Sequence, residues 1–328
     1  MNFLNLLSNK ININKNYNFS LIFGLTPSTS ARSPSLWNNA YKFIKKKSSM
    51  YPADVTKLNL EKVLNILKSN NKFIGGSVTT PYKNKVVKSL DFLEENSKYI
   101  GSVNTIKKDK EKYIGYNTDF HGALYSLNKI KITPKKILIL GCGGAGKAVI
   151  IAVSKKYSKS NIYIYNRSGN KVLSFLKEIK KQNVFYINNI FKLKKIDLII
   201  NTTNLGFDSW IKKKKTYINN VFFSPLGDVK NIRGVSSKNL NDFKKKNKYL
   251  IIKNILQTYN FFIKNNKCYV FDIIYNPAKT VLLKISELFC FETMNGTYMN
   301  LIQAIKAFMI VNNYNSFDKI KKSMMKNG

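Results

Sequence analysis

Apolar and polar positions follow two different rhythms along the chain. Up to about residue 125 the apolar runs are short and stop at glycine, proline or polar residues. "YNFSLIFG" (Tyr17–Gly24) is such a run and reads as a buried strand. Ser33-Pro34 then opens a helix, since proline fits the first helical turn, where a backbone N–H has no partner to lose. "KFIGGSVTTP" reads as a second strand closed by Pro81, and a helix is predicted through "YKNKVVKSLDFL". "VNTIKKDKEKYIGYNTD" holds two β-rich runs around a charged turn, which predicts a hairpin. A further helix starts after Thr118-Asp119.

Near residue 130 the pattern changes. Ile137–Leu140 is an unbroken apolar run, as in a central strand of a parallel sheet whose two faces are both covered. A glycine turn and a helix follow, then strands at "NIYIYNR", "KIDLIINTTN" and "KCYVFDIIYN". Strands alternating with helices predict a doubly wound α/β domain. "NGTYMNLIQAIKAFMIV" near the end has apolar residues at helical spacing. Residues 207–266 break this rhythm, with two lysine runs, an "SPLGD" turn and a helical stretch through "LIIKNILQTYNFFI".

Composition alters the expected partners more than the fold. Of 328 residues, 56 are Lys or Arg and 17 are Asp or Glu, a formal charge of +39. Such a balance fits nucleic acid or an anionic surface. The cations are scattered, however, with short runs only at 45–47, 212–215 and 244–246, and no zinc-finger or RNA-binding signature accompanies them. Abundant Lys, Asn, Ile and Tyr together fit compositional drift, so nucleic acid is not the expected partner. Cys142, Cys268 and Cys290 are far apart and form no Cys-x-x-Cys, which argues against a disulfide framework or a zinc site. His121 is the only histidine and reads as a helix-face residue. No run of 18 apolar residues and no signal-peptide pattern is present, so a cytoplasmic protein without a membrane partner, monomer or homodimer, is expected.

Gly141, Gly143 and Gly146 form G-x-G-x-x-G directly after a predicted strand and at the start of a helix. That context makes the pattern a dinucleotide site: a tight turn at Gly141, close backbone approach to a pyrophosphate at Gly143, and a helix N-terminus facing the anion. The next strand ends in "YNRSGNK". An NAD site would place an acid there for the ribose 2′-hydroxyl. Arg167 and Lys171 stand there instead and suit a 2′-phosphate, which points to NADP.

The first 125 residues remain for a substrate. Polar groups cluster at their strand ends: Thr79 and Lys83, Asn104, then Asn117 and Asp119. Lys83 and Asp119 could meet as an acid/base pair or as a salt bridge, and spacing does not separate the two. At this point the sequence resembles the shikimate dehydrogenase family. The motifs that carry the resemblance are "VTTPYK" (Val78–Lys83), "GSVNT" (Gly101–Thr105), "NTDFHG" (Asn117–Gly122), "GCGGA" followed by "NRS", "NTTNLG", "DIIYNPAKTVLL" and "NGTYMNLIQA". They run in the family's order and span nearly the whole chain.

The resemblance implies NADPH-dependent, reversible reduction of 3-dehydroshikimate to shikimate, in aromatic amino-acid biosynthesis. It implies an N-terminal α/β substrate-binding domain at 1–128, a Rossmann-fold NADP-binding domain at 129–294 with a long insert at about 207–266, and a C-terminal helix at 295–312 packing back on the first domain. Lys83 and Asp119 correspond to the catalytic pair. Ser33, Thr79, Asn104, Tyr275 and Gln303 correspond to substrate-binding positions. Gly141, Gly143, Gly144, Ala145, Gly146, Asn166, Arg167, Ser168, Lys171, Thr202 and Gly296 fall in the motifs of the cofactor site. No metal is implied. One departure stands out: where the family has S-x-S-P, this chain has "ARSP", so Ala31 replaces the first of two serines that bind the substrate carboxylate. That leaves open a quinate or quinate/shikimate dehydrogenase, and a non-catalytic basic binding protein of the same fold is a third reading.

Overall fold

The structure, a computed structural model, describes residues 2–208, 210–213, 216–236, 240–265 and 267–325. Lys214 and Lys215, the end of the lysine run at 212–215, lie outside the described residues. The chain folds as two compact units, residues 1–125 with 301–328, and residues 126–300.

The first unit is built on a mixed sheet of six strands: β1 (Asn18–Gly24), β2 (Ser48–Asp54), β3 (Phe73–Val78), β4 (Phe92–Leu93), β5 (Thr105–Asp109) and β6 (Lys112–Tyr116). Their order is β2-β1-β3-β5-β6-β4. β1 lies parallel to both β2 and β3, and β5 and β6 form the antiparallel hairpin. The helices are α1 (Pro27–Ser30), α2 (Ser33–Phe43), α3 (Leu60–Lys68), α4 (Glu95–Ile100) and α5 (Asp119–Lys129). Side chains of β1 alternate between two cores, as a strand period of two requires. Leu21 and Phe23 pack with Val63, Leu64 and Leu67 of α3, while Ile22 packs with Leu36, Trp37 and Ala40 of α2.

The helix expected through residues 82–93 is not formed. That stretch makes a single 3-10 turn, Val86–Ser89, and then β4. The reason is tertiary. Asp91 accepts hydrogen bonds from Lys68 Nζ (2.8 Å) and Tyr113 N (2.7 Å), and Phe92 and Leu93 pair with Ile114 and Gly115. Extending the sheet by an edge strand outweighs a weak helical pattern.

The second unit holds β7 (Lys136–Leu140), α6 (Gly144–Lys156), β8 (Asn161–Tyr165), α7 (Gly169–Ile179), β9 (Val184–Ile187) and β10 (Leu198–Asn201). The hairpin β11 (Trp210–Lys213) and β12 (Thr216–Asn219) follows, then α8 (Leu240–Lys264), β13 (Tyr269–Asp272), α9 (Val281–Leu288) and β14 (Thr293–Met294). The main sheet is parallel, in the order β14-β13-β10-β7-β8-β9. Counted from β7, this is the doubly wound order, which reverses between β7 and β10. Leu138, Ile139, Leu140, Ile199, Ile200, Val270 and Phe271 are fully buried, so the continuous apolar runs reflect cover on both faces. The segment that sequence rhythm left unresolved contains β11, β12 and the 25 residues of α8.

Two helices close the chain, α10 (Thr297–Asn312) and α11 (Phe317–Met325). Ile302, Ile305 and Phe308 of α10 and Ile320 and Met324 of α11 join Trp37 and Ala40 in the second core of the first unit. The C-terminal helix thus packs back on the N-terminal domain.

Candidate active site

The first cluster forms at strand ends of the N-terminal unit. Lys83 lies in the turn after β3, and its carbonyl accepts a hydrogen bond from Val103 N at 2.7 Å. Asp119 is the first residue of α5, where the helix dipole favours a negative charge. Lys83 Nζ stands 2.5 Å from Asp119 Oδ2, with the side chains 19% and 7% exposed. The other carboxylate oxygen accepts from Asn104 Nδ2 at 3.0 Å. Asn104 is buried and central: its Nδ2 also reaches Thr118 Oγ1 (3.0 Å) and Gln303 Oε1 (3.3 Å), and its Oδ1 accepts from Thr118 N at 2.7 Å. An amide has two N–H groups, so three acceptors compete for them. An incoming hydroxyl can take over one of these bonds without stranding a group.

The other substrate-site expectations fall nearby or elsewhere. Thr79 follows β3, with its N–H on Phe23 O at 2.8 Å. Its methyl would meet any Cβ on Gly24 at 2.5 Å, which explains the glycine there. Ser33 is buried at the start of α2. Ala31 sets its methyl against the core around Trp37. His121 sits half-buried on α5 beside the Phe120 ring. Tyr275 belongs to the second unit, edge-on to Phe207 with centroids 6.2 Å apart.

The second cluster is the glycine turn between β7 and α6. Gly141 has φ of 103°, a left-handed value that favours glycine, and a Cβ there would fall 2.7 Å from Thr202 Oγ1. A Cβ on Gly146 would meet the same oxygen at 2.7 Å, whereas one on Gly143 would meet nothing within 4 Å. The three glycines therefore have three roles: turn, open approach and close helix packing. Gly144 and Ala145 form the first turn of α6, which carries no acid. Thr202 donates its hydroxyl to the carbonyls of Leu140 and Gly141 (2.9 and 3.1 Å), so it braces the turn. Asn166 accepts from Cys142 N (3.2 Å) and donates to Ser168 O (2.9 Å), tying the turn to the loop with Arg167. Arg167 and Lys171 are exposed. Burial pushes the Cys142 thiol up to about 11, so it is no nucleophile at neutral pH. A Cβ on Gly296 would lie 1.7 Å from Ile273 O, so this glycine is required by backbone packing.

The family model described as the shikimate dehydrogenase substrate binding domain matches residues 24–106. The shikimate dehydrogenase (NADP+) of Methanosphaera stadtmanae is 31% identical, over 88% of this chain and 90% of that protein. The chain belongs to the shikimate dehydrogenase family. The corresponding enzyme of Carboxydothermus hydrogenoformans is 33% identical over 84% of this chain and 85% of that one. Among solved structures, a shikimate dehydrogenase in complex with NADP+ superposes with a TM-score of 0.69 at 27% identity, covering 95% of this chain and 96% of that one. Among the described residues, no helix is long and apolar enough to cross a membrane, and no group of three or more His, Cys, Asp or Glu could hold a metal ion.

Sequence reasoning passed over two carboxylates that shape this family member's site loops. Asp272, at the end of β13, accepts from Ile274 N (3.0 Å), Asn201 Nδ2 (2.9 Å) and Thr280 Oγ1 (2.7 Å). It thereby fixes the loop that carries Tyr275. Asp54, at the end of β2, accepts from Ser28 N (2.9 Å) and Ser28 Oγ (2.5 Å) and anchors the segment leading to Ala31 and Ser33. The first had a signal, since Asp272 and Thr280 are the outer polar letters of "DIIYNPAKT". The second had none, because Ser28 and Asp54 meet only across β1 and β2.

Proposed function

We propose that this chain is an NADP-dependent shikimate dehydrogenase, reducing 3-dehydroshikimate to shikimate reversibly. The observation that carries the reading is the half-buried Lys83–Asp119 pair, cross-linked through Asn104 to Gln303, in a chain of this family. An ammonium held by one carboxylate keeps N–H groups for a substrate oxygen. As the ketone oxygen gains negative charge, Lys83 gives it a proton, and Asp119 keeps the amino group aimed. Asn104, Gln303 and Thr79 bind ring hydroxyls. Ser33 takes the substrate carboxylate, with Ala31 supplying no second hydroxyl.

The second unit suits NADP. Its glycine turn leaves Gly143 open to a pyrophosphate at the N-terminus of the 13-residue α6, and Arg167 and Lys171 suit a 2′-phosphate. When bound, NADPH supplies the hydride. We assign substrate binding to the unit of residues 1–125 with 301–328 and cofactor binding to that of 126–300. The test is NADPH oxidation, followed at 340 nm, with 3-dehydroshikimate, beside NADP+ reduction with shikimate and with quinate. Turnover with the shikimate pair is expected. Turnover with quinate alone would replace this reading with the quinate one, and no turnover in a folded chain would overturn both.

A further inference from the structure

The segment before β1 is tied to the edge of the first sheet. Phe3 is buried and stacks on Phe19 of β1, with ring centroids 6.0 Å apart. Residues 6–9 then run beside β2, the edge strand. Leu6 O accepts from Asn59 Nδ2 (2.9 Å), Leu7 bridges Val55 in the antiparallel sense, and Ser8 N donates to Asp54 O at 2.8 Å. Asn9 does with its side chain what a neighbouring strand does with its backbone. Its Oδ1 accepts from Asp54 N (2.8 Å) and its Nδ2 donates to Pro52 O (3.0 Å). A primary amide carries both a carbonyl and N–H groups, so it replaces a peptide group at an edge that would otherwise leave such groups unpaired.

Both main-chain polar groups of Asp54 are thus engaged by this segment. Its side chain is buried, and among the described residues no cation pairs with it. Both carboxylate oxygens turn to α1, accepting from Ser28 N (2.9 Å) and Ser28 Oγ (2.5 Å). Hydrogen bonds to a carboxylate are roughly twice as strong as neutral ones, so Ser28 is firmly held. From Ser28 the chain passes to Ser33 through locked turns. Thr29 N and Ala31 N bond to Thr26 O (3.2 Å) and Pro27 O (3.0 Å), and Leu36 N bonds to Arg32 O (3.1 Å). A displacement at Ser28 therefore reaches Ser33 with little slack. Because Ala31 brings no hydroxyl, the placement of the Ser33 oxygen counts for more.

We infer that Asn9 and Asp54 are positioning residues for the substrate carboxylate. The segment before β1 fixes Asp54, Asp54 fixes Ser28, and Ser28 fixes the turn that presents Ser33. The inference rests on the role of Ser33 proposed above. Among the described residues, Asn9, Ser28 and Asp54 make no hydrogen bond to Lys83, Asp119 or Asn104, so their effect falls on binding and not on proton transfer. A carboxylate remote from the reacting carbon is held alike in ground and transition states, and loosening it raises KM while sparing kcat.

The test is steady-state kinetics of the full chain with NADP+ and whichever of shikimate and quinate the parent turns over, beside the thermal transition. Asp54→Ala should raise KM for the acid about 10-fold, the scale of a small misplacement, with kcat and KM for NADP+ within about two-fold. Asn9→Ala should raise the same KM by a smaller factor. Asp54→Asn, whose amide can accept from Ser28 N and donate to Ser28 Oγ, should recover most of the loss. If Asp54→Ala does not fold, Ser28→Ala, at an exposed position, carries the same expectation of a raised KM at constant kcat. A lowered thermal transition with KM for the acid unmoved would mean that the segment only covers the sheet edge, and would overturn the inference. So would a loss spread equally over kcat and both KM values, or an Asp54→Asn as impaired as Asp54→Ala. Each of these, in an active parent, leaves the proposed function standing. A parent that turns over neither acid removes that reading, and the inference with it.

Discussion

Asp272→Asn tests how the second unit tolerates a buried acid. The carboxyl is 0% exposed and, among the described residues, faces three donors and no cation. Burial pushes it up to about 7, with the hydrogen bonds from Ile274, Thr280 and Asn201 pulling it partly back. Unfolded, the same group titrates near about 3.9. The folded state therefore holds a proton that the unfolded state has released between those values. Stability falls as pH rises from about 4 to about 7, and is constant above. A gap of about 3 pH units at about 1.4 kcal/mol each sets an upper limit on the order of 4 kcal/mol, with about 2–3 kcal/mol of it falling between pH 5 and pH 8. Asparagine keeps the oxygen for Ile274 and Asn201 and cannot ionise, but turns the Thr280 hydroxyl, at a cost of about 1 kcal/mol. Urea unfolding of both proteins from about pH 5 to about pH 8 should show the variant gaining about 2–3 kcal/mol relative to the parent. A difference that does not move with pH would mean the three donors keep Asp272 ionised throughout and would refute the reasoning.

Lys83→Ala should lower kcat by about 10²–10⁴ with a smaller change in KM, while Lys85→Ala, an exposed cation 6.0 Å from the Tyr82 ring centre, should be nearly silent. Equal, salt-sensitive losses at both would remove Lys83 from the chemistry. Arg167→Ala should raise KM for NADPH more than for NADH, and equal rises would remove the 2′-phosphate role. Gly141→Ala should cost about 1–3 kcal/mol in thermal stability because of its left-handed φ and the contact with Thr202, whereas Gly143→Ala should keep its Tm and lose NADPH affinity. Identical behaviour of the two variants would contradict the division of roles. Neutral residues at 244–246, where Lys244 covers the Phe222 ring at 5.2 Å, should leave kcat within a few-fold, and a collapse in a folded variant would place α8 at the chemistry.

What could be read from the chain depended on whether local pattern and tertiary need agreed. Strands β7, β10 and β13 were legible because a strand covered on both faces leaves no polar position to confuse the period, and all four residues of β13 are buried. The hairpin of β5 and β6 was legible from its charged turn. β2 was not, since "SSMYPAD" has a proline and no clean alternation; it forms because it can lie beside β1 at the sheet edge. Residues 82–93 misled in the opposite direction, their helical pattern yielding to Asp91 and the edge pairing of β4. In the region 207–266, α8 defeated pattern reading for a specific reason. Its buried positions mix Phe243, Phe261 and Phe262 with Asn247, Asn254 and Thr258, while Tyr249, Ile252 and Leu256 stand exposed, so the apolar period and the buried face do not coincide.

The same distinction explains how one lysine among 56 cations can be singled out. Charge alone cannot do it, because in a chain of +39 every lysine contributes to the same long-range field, which attracts any anion and fades with salt. Burial and pairing can. The other ion pairs among the described residues, Lys68–Asp91, Lys253–Asp228 and Lys279–Glu287, have lysines 33% to 63% exposed, where water screens them and their worth is small. Lys83 is 19% exposed against a carboxylate at 7%, and that carboxylate is committed through Asn104 to the rest of the cluster. Its charge is therefore held at a fixed place and poorly screened, as proton transfer to one particular oxygen requires. The scattered lysines can raise the rate of encounter with anionic substrate and cofactor. They cannot choose the atom that receives the proton, and so salt should act on kcat/KM while leaving the kcat loss of Lys83→Ala in place.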